Sequence, residues 1–292
     1  MRFWINVSAS GLAYLLRWVP QKVRWQMANF LAWLWLDVLR IRRFTVYKNL
    51  SIAFPNESRE EKRRIARASM NHLCYNFIEF CLLPTMNQKW LQKEVVLHGR
   101  ENFERAQAQG KGVLICSLHL GGGDVGIASL ALHGIKLNVI SKKFKNLVLN
   151  EFWFGVRERL GTRFLEPHGR NLVFDILKAC KKGEAVVFVI DQFMGKPFGI
   201  SSTFFGRKTG TAYVLALFAL KTKAPVVPVY TYHDEELRTH VVFEEEVSFE
   251  PIEDKDLQIA KMTQKYNDRI ESIVRRYPEQ WMWLHRRWKR WE

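Results

Sequence analysis

The sequence predicts an α/β fold: a mixed, largely parallel central sheet flanked by helices, preceded by a helical, membrane-associating N-terminal segment. Three observations carry this. From Gly112 onward, short apolar runs at 113–118, 185–190, 225–232 and 241–243 read as strands. Helical stretches at about 124–133, 146–160, 170–182, 211–222 and 254–276 separate or follow them, the alternation of an α/β sandwich. Two of the runs end in a polar residue, His119 and Asp191, and a site is expected at the C-terminal ends of parallel strands.

Residues 1–95 read as helical. Ser58 with Glu61 three residues on makes a capping box, and Ala66, Met70, Leu73, Phe77 and Cys81 recur at spacings of three and four, an apolar helical stripe that Pro84 stops. Two apolar stretches, 3–16 and 28–36, are each short for a bilayer span. They suit a single tilted helix whose Arg17 snorkels to the interface, a hairpin lying in one leaflet, or two ordinary core helices. The expected division is 1–50 as membrane-anchoring helices and 51–292 as the main domain, with a helical lead-in at 58–83 and a basic aromatic segment at 278–292.

The 292-residue chain is long enough for a sizeable core, and its net charge of +16 points to anionic partners. Its eleven Trp crowd both ends, with Trp4, Trp18, Trp25, Trp33 and Trp35 near the start and Trp281, Trp283, Trp288 and Trp291 near the finish. Trp mixed with Lys and Arg is a membrane-interface composition, and no helix-turn-helix, zinc-finger or RNA-binding signature is present. Cys74, Cys81, Cys116 and Cys180 form no Cys-x-x-Cys pair and read as buried, reduced thiols. No His or Cys cluster has metal-ligand spacing, so neither metal nor resident cofactor is expected.

The sharpest motif is His119-Leu-Gly121-Gly122-Gly123-Asp124. A strand delivers the His, the glycines let the backbone turn tightly, and a helix begins with Asp124 in its first turn. Asp124 is expected to fold back onto one imidazole nitrogen and fix the tautomer, leaving the other nitrogen to take a proton from a hydroxyl. No Ser or Cys stands beside the pair as a nucleophile, which favours direct attack by an activated alcohol. The bland alternative makes Asp124 a helix cap and His119 a core His.

His-x4-Asp after a strand resembles the signature of the glycerolipid acyltransferase superfamily, and the rest of the chain resembles its lipid A late-acyltransferase branch. The resemblance runs through Arg43 to Pro55, with Asn49-Leu50 and Phe54-Pro55; Arg170 to Glu184, followed by Asp191-Gln192; Phe204-Phe205-Gly206 to Thr211; Ala224 to Pro228; and Pro278 to Lys289. It implies His119 as general base, Asp124 as its partner and Arg170 as a catalytic arginine stabilising an oxyanion or binding phosphate. It further implies that Gly121, Gly122, Gly123, Asp191, Gln192, Phe205, Gly206, Thr211, Arg286 and Arg287 contact substrate, the last two through phosphates, while Trp281, Trp283 and Leu284 pack inward.

The implied reaction moves a fatty acyl group from an acyl carrier protein or coenzyme A thioester to a hydroxyl of a lipid A precursor. Its implied partners are membrane lipids and the carrier protein, without nucleic acid, at the cytoplasmic face of a bacterial inner membrane. That branch commonly carries Glu where this chain has Asp124, and Asp is usual in the superfamily's lysophospholipid enzymes. A lysophospholipid or other glycolipid acceptor is therefore the alternative, followed by a non-catalytic lipid-binding protein.

Overall fold

A computed structural model describes residues 2–291 except His168, and for residues 2–9 the backbone alone, so the side chain of Trp4 and residue Glu292 lie outside the described residues. The chain opens with helices α1 (Arg2–Trp18), α2 (Gln21–Trp33) running into a π-helical turn (Leu34–Val38), α3 (Arg43–Ala53) and α4 (Arg59–Leu82). A short 3-10 turn and α5 (Gln88–Glu94) lead into β1 (Val95–His98), α6 (Arg100–Ala108), β2 (Val113–Ser117) and α7 (Gly123–Leu132). Then come β3 (Leu137–Ile140), α8 (Leu147–Arg159), β4 (Thr162–Leu165), α9 (Leu172–Lys181) and β5 (Ala185–Val189). The last part holds β6 (Gly199–Phe204), β7 (Arg207–Ala212), α10 (Val214–Thr222), β8 (Val226–His233), β9 (Thr239–Phe243) and α11 (Lys255–Arg276).

Among the described residues seven strands form one sheet in the order β1-β9-β8-β2-β5-β3-β4. Every pairing is parallel except β8 with β9, which gives the predicted mixed, largely parallel sheet. Burial on both faces explains the continuous apolar runs of its centre. Leu114, Cys116, Val186 and Phe188 point into one core with α9, α10 and α11, while Val113, Ile115, Ala185 and Val187 point into the other with α6, α7 and α8. β6 and β7 form a separate antiparallel hairpin.

Ser58 caps α4, its hydroxyl accepting from the Glu61 N–H at 3.0 Å, a contact worth about 1 kcal/mol. Ala66, Met70 and Cys81 of the expected helix stripe are buried, but Phe77 is 49% exposed, and Ile78 and Phe80 turn inward in its place. All four cysteines are free and buried, and burial pushes the Cys74 thiol up to about 11.

Among the described residues no helix is long and apolar enough to cross a membrane, so the single tilted span finds no support. At about 1.5 Å per residue, the 17 residues of α1 reach about 25 Å, short of a bilayer core of about 30 Å. The predicted boundary at residue 50 falls inside α3. Ala28, Ala32, Leu36, Val46 and Leu50 join the same core as α11 and the C-terminal segment.

The Trp reading is corrected in part. Trp18 is 87% exposed, and Trp33 and Trp35 are also exposed, but Trp281, Trp283 and Trp288 are buried. Trp281, Trp283 and Leu284 thus pack inward as expected, and Trp288 joins that core instead of a membrane face, with Phe204, Phe205 and Phe54 around the three tryptophans.

Candidate active site

β2 and β5 are neighbours in parallel register, with Ser117 opposite Val189. Two residues beyond that pair, His119 and Asp191 therefore emerge side by side at the C-terminal end of the sheet. Asp191 is 1% exposed and accepts three hydrogen bonds: from the His119 backbone N–H at 3.0 Å, the His119 Nδ1–H at 2.9 Å and the Trp281 Nε1–H at 2.8 Å. A carboxylate only accepts, so Nδ1 carries the proton, and in the neutral ring Nε2 is the free base.

The electrostatics agree. Burial opposes the Asp191 charge, but the neighbouring imidazole and the three donors outweigh it and hold the carboxyl well below the usual range. Burial likewise opposes the imidazolium of His119, yet the charge and hydrogen bond of Asp191, and then the charge of Asp124, raise its pKa. The His119 side chain keeps 38% exposure, which leaves a way in for a reactant.

Two groups flank Nε2. The Gln192 amide nitrogen lies 2.9 Å from His285 Nε2 and 3.4 Å from His119 Nε2. An amide N–H donates, so both ring nitrogens face it as acceptors. Burial, followed by the charge of His119, lowers the His285 pKa to about 4, which keeps that ring neutral.

The loop between His119 and α7 is laced to the C-terminal segment. Gly121 N–H donates to the Gln280 carbonyl at 3.2 Å, Met282 N–H to the His119 carbonyl at 3.2 Å, and the Thr231 hydroxyl to the Leu120 carbonyl at 2.7 Å. Gly121 has φ +49°, and a Cβ there would stand 2.7 Å from the Tyr232 Cα. A Cβ on Gly122 would meet His233 Nε2 and Thr239 Oγ1 at 2.9 Å each, whereas one on Gly123 meets nothing within 4 Å. The first two glycines are thus needed for approach to the chain's own β8 and β9.

A family model described as bacterial lipid A biosynthesis acyltransferase matches residues 1–290. The chain belongs to that family. A lipid A biosynthesis palmitoleoyltransferase of Escherichia coli (strain K12) is 26% identical over 297 residues, covering 99% of this chain and 92% of the relative. A lipid A biosynthesis lauroyltransferase of the same organism is 24% identical over 293 residues, with the same coverages. A lipid A biosynthesis acyltransferase of Haemophilus influenzae is 23% identical over 274 residues, covering 92% of this chain and 83% of the relative.

In this acyltransferase the carboxylate on His119 Nδ1 is Asp191, not the expected Asp124. Asp124 instead forms an ion pair with Arg157 and accepts from Asn76 Nδ2 at 3.3 Å. The reason is Arg157 itself. It is 4% exposed, its guanidinium stacks 4.6 Å from the Trp153 ring and 4.8 Å from the Phe80 ring, and a buried cation must be paired. Nothing in the sequence distinguishes Arg157 from a solvated helix arginine.

Arg170 lies exposed in the turn before α9, outside the hydrogen bonds around His119. Phe205 and Gly206, both at positive φ, form the two-residue turn of the β6–β7 hairpin, a primed-turn geometry. Phe205 meets Phe54 edge-on and Trp283 at a tilt, and Trp283 packs on Trp281, so this turn stands behind the Asp191 anchor instead of beside His119.

Arg286 is exposed, but the expectation that Arg287 meets phosphates fails. Arg287 is fully buried. It donates to the carbonyls of Gln192 at 2.9 Å and Gly210 at 2.7 Å, to Thr211 Oγ1 at 2.7 Å and to Asn267 Oδ1 at 2.7 Å. Thr211 is occupied by this internal bracing. Burial lowers the Arg287 pKa to about 10 against the opposing charge of Asp191. The first and last motifs also meet: buried Asn49 donates to the carbonyls of Trp283 at 2.8 Å and His285 at 2.6 Å.

Among the described residues no group of three or more His, Cys, Asp and Glu is arranged to hold a metal ion.

Proposed function

We propose that this enzyme transfers a fatty acyl group from a carrier-protein or coenzyme A thioester to a hydroxyl of a lipid A precursor, with His119 Nε2 as general base. One observation carries the mechanism: Nδ1 is committed to buried Asp191 while the opposite nitrogen, the base of the neutral ring, is reachable. The acceptor hydroxyl gives its proton to Nε2, and its oxygen attacks the thioester carbonyl. The C–S bond of the tetrahedral intermediate breaks, and the imidazolium returns the proton to the departing sulfur. Asp191 stabilises the transient imidazolium, and the charge of Asp124 adds to it at longer range. Arg170 and Arg286, exposed at the surface, are assigned to phosphates of the acceptor, and Gln192 to the reacting oxygens.

The reaction is placed at the cytoplasmic face of the inner membrane, with the exposed apolar side chains of α1 and α2 holding the enzyme in the interface. The net charge suits both anionic lipid and an acidic carrier protein. A second acceptor class, lysophospholipid, is favoured by Asp124 standing where the lipid A branch commonly has Glu.

The test is mass spectrometry of products from purified enzyme, supplied in parallel with both thioester donors and both acceptor classes. One added acyl group on the lipid A precursor supports the reading. Acylation of lysophospholipid alone overturns the acceptor, and no transfer to any acceptor overturns the activity.

A further inference from the structure

Exposed apolar side chains on a folded surface are normally scattered; residues 142–149 are exposed without interruption. They form the loop after β3 and the first turn of α8. Leu147 is 70% exposed, with Val148, Leu149 and Phe144 exposed beside it. Lys142, Lys143 and Lys145 alternate with them. The loop is a built turn. Asn146 caps α8 by accepting from the Leu149 N–H at 3.0 Å, and Asn150 brackets Phe144 with hydrogen bonds of 2.7 and 2.6 Å to its N–H and carbonyl.

The neighbouring loop repeats the pattern. Val173 and Phe174, in the first turn of α9, are both exposed, Phe174 to 64%, and Arg170 precedes them. The two loops are tied together by the Ser141 N–H to the Leu165 carbonyl at 3.0 Å and by the Lys143 N–H to the Glu166 carboxylate at 3.2 Å.

Position gives this surface its meaning. Both loops leave the C-terminal ends of β3 and β4, the end from which His119 emerges after β2. The sheet order β2-β5-β3-β4, at about 4.8 Å per strand, puts them roughly 10–15 Å from the strand of His119. Helix α1 packs against α8 and exposes Leu12, Leu15 and Trp18, so the apolar surface continues onto the N-terminal helices. Lysines interleaved with aliphatic side chains match an anionic bilayer. The apolar groups enter the acyl boundary while the ammonium groups remain among the headgroups.

We propose that the loop after β3 and the first turns of α8 and α9 form a second bilayer-contact surface, which lays the C-terminal edge of the sheet and the opening over His119 against anionic lipid. The proposal rests on the reading of the enzyme as one that works at a membrane. On it, the N-terminal helices hold the protein in the interface, and this surface sets the orientation of the site.

Spin labels test it. The full chain carries Val148→Cys or Phe174→Cys, with Lys111→Cys as control at the exposed turn entering β2, the opposite end of the sheet. The four native cysteines are buried, so the label goes to the new thiol. The probe is a vesicle of equal parts phosphatidylglycerol and phosphatidylcholine, without donor or acceptor, so the outcome does not depend on which lipid is acylated. On bound protein, the labels at 148 and 174 gain accessibility to oxygen and lose it to a water-soluble nickel chelate, and the control is unchanged. Bound protein whose labels at 148 and 174 stay open to nickel overturns the proposal alone. So does shielding of those labels only by an added acidic carrier protein. Failure to bind vesicles overturns the membrane reading with it.

An independent readout is the variant Lys142→Gln/Lys143→Gln/Lys145→Gln. Its partition onto phosphatidylglycerol vesicles falls about fivefold per lysine removed, and an unchanged partition overturns the proposal.

Discussion

Asp191→Asn removes one charge and almost no volume, and its effect follows from the three hydrogen bonds the carboxylate accepts. A bond to a charged acceptor contributes about 1.5–3 kcal/mol, so losing the Nδ1 contact in the transition state alone costs roughly 10- to 100-fold at 1.36 kcal/mol per decade. An amide N–H turned toward Nδ1 adds a second loss. It favours the tautomer with the proton on Nε2, where the base must be vacant. A similar carboxylate-to-amide change in a Ser-His-Asp triad costs about 10⁴ in kcat for this reason. The expected loss here is about 10³ in kcat.

The pH profile separates this from general damage. His119 acts as a base, so activity rises with pH through its pKa, and Asp191 raises that pKa. In Asp191→Asn the acidic limb moves to lower pH. Initial acyl-transfer rates from pH 5 to 9, with circular dichroism confirming the fold, measure both effects. Activity within about threefold of wild type, with the limb unmoved, would refute Asp191 as the group that orients and charges His119.

Other consequences follow from neighbouring residues. Asp124→Ala leaves the Arg157 guanidinium buried and unpaired, which costs about 3–5 kcal/mol, read as a fall in the denaturation midpoint; an unchanged midpoint contradicts the pairing. Gly122→Ala forces a Cβ against His233 and Thr239 and lowers stability by about 1–3 kcal/mol, while Gly123→Ala at the open start of α7 leaves the melting temperature unchanged or raised. Burial, followed by the neighbouring His233, lowers the pKa of His72 to about 3, and burial lowers that of His285 to about 4. Both histidines charge more easily in the unfolded chain, so the stability they contribute is present above about pH 6.5 and is lost as pH falls toward 3. His72→Phe therefore flattens stability over that window, by on the order of a few kcal/mol, and an unchanged acid transition contradicts it.

The sequence made the central strands legible because β2, β5 and β8 are buried on both faces and read as unbroken apolar runs. It hid β1, β3 and β4, which have four residues each, too few for a period to register. It also hid the hairpin of β6 and β7, whose Ser, Thr, Arg and Lys resemble a loop. His119 and Asp191 stood out as polar residues closing apolar runs. Their partnership did not, because the register of β2 against β5 sets it and lies in neither segment alone. Proximity along the chain pointed to Asp124 instead, and the residue that draws Asp124 away, Arg157, acquires its meaning only when α8 packs on Phe80 of α4. The buried role of Arg287 was masked in the same way, since Arg286-Arg287 reads as a basic surface pair until Asn267 and Thr211 close around one of them.

The role of His119 is tested most directly by His119→Ala, assayed by mass spectrometry of the lipid product with acyl carrier protein thioester and lipid A precursor. With His119 as general base, the variant folds, binds vesicles like wild type and transfers the acyl group at least about 10³-fold more slowly. Transfer at the wild-type rate by that variant would contradict that role.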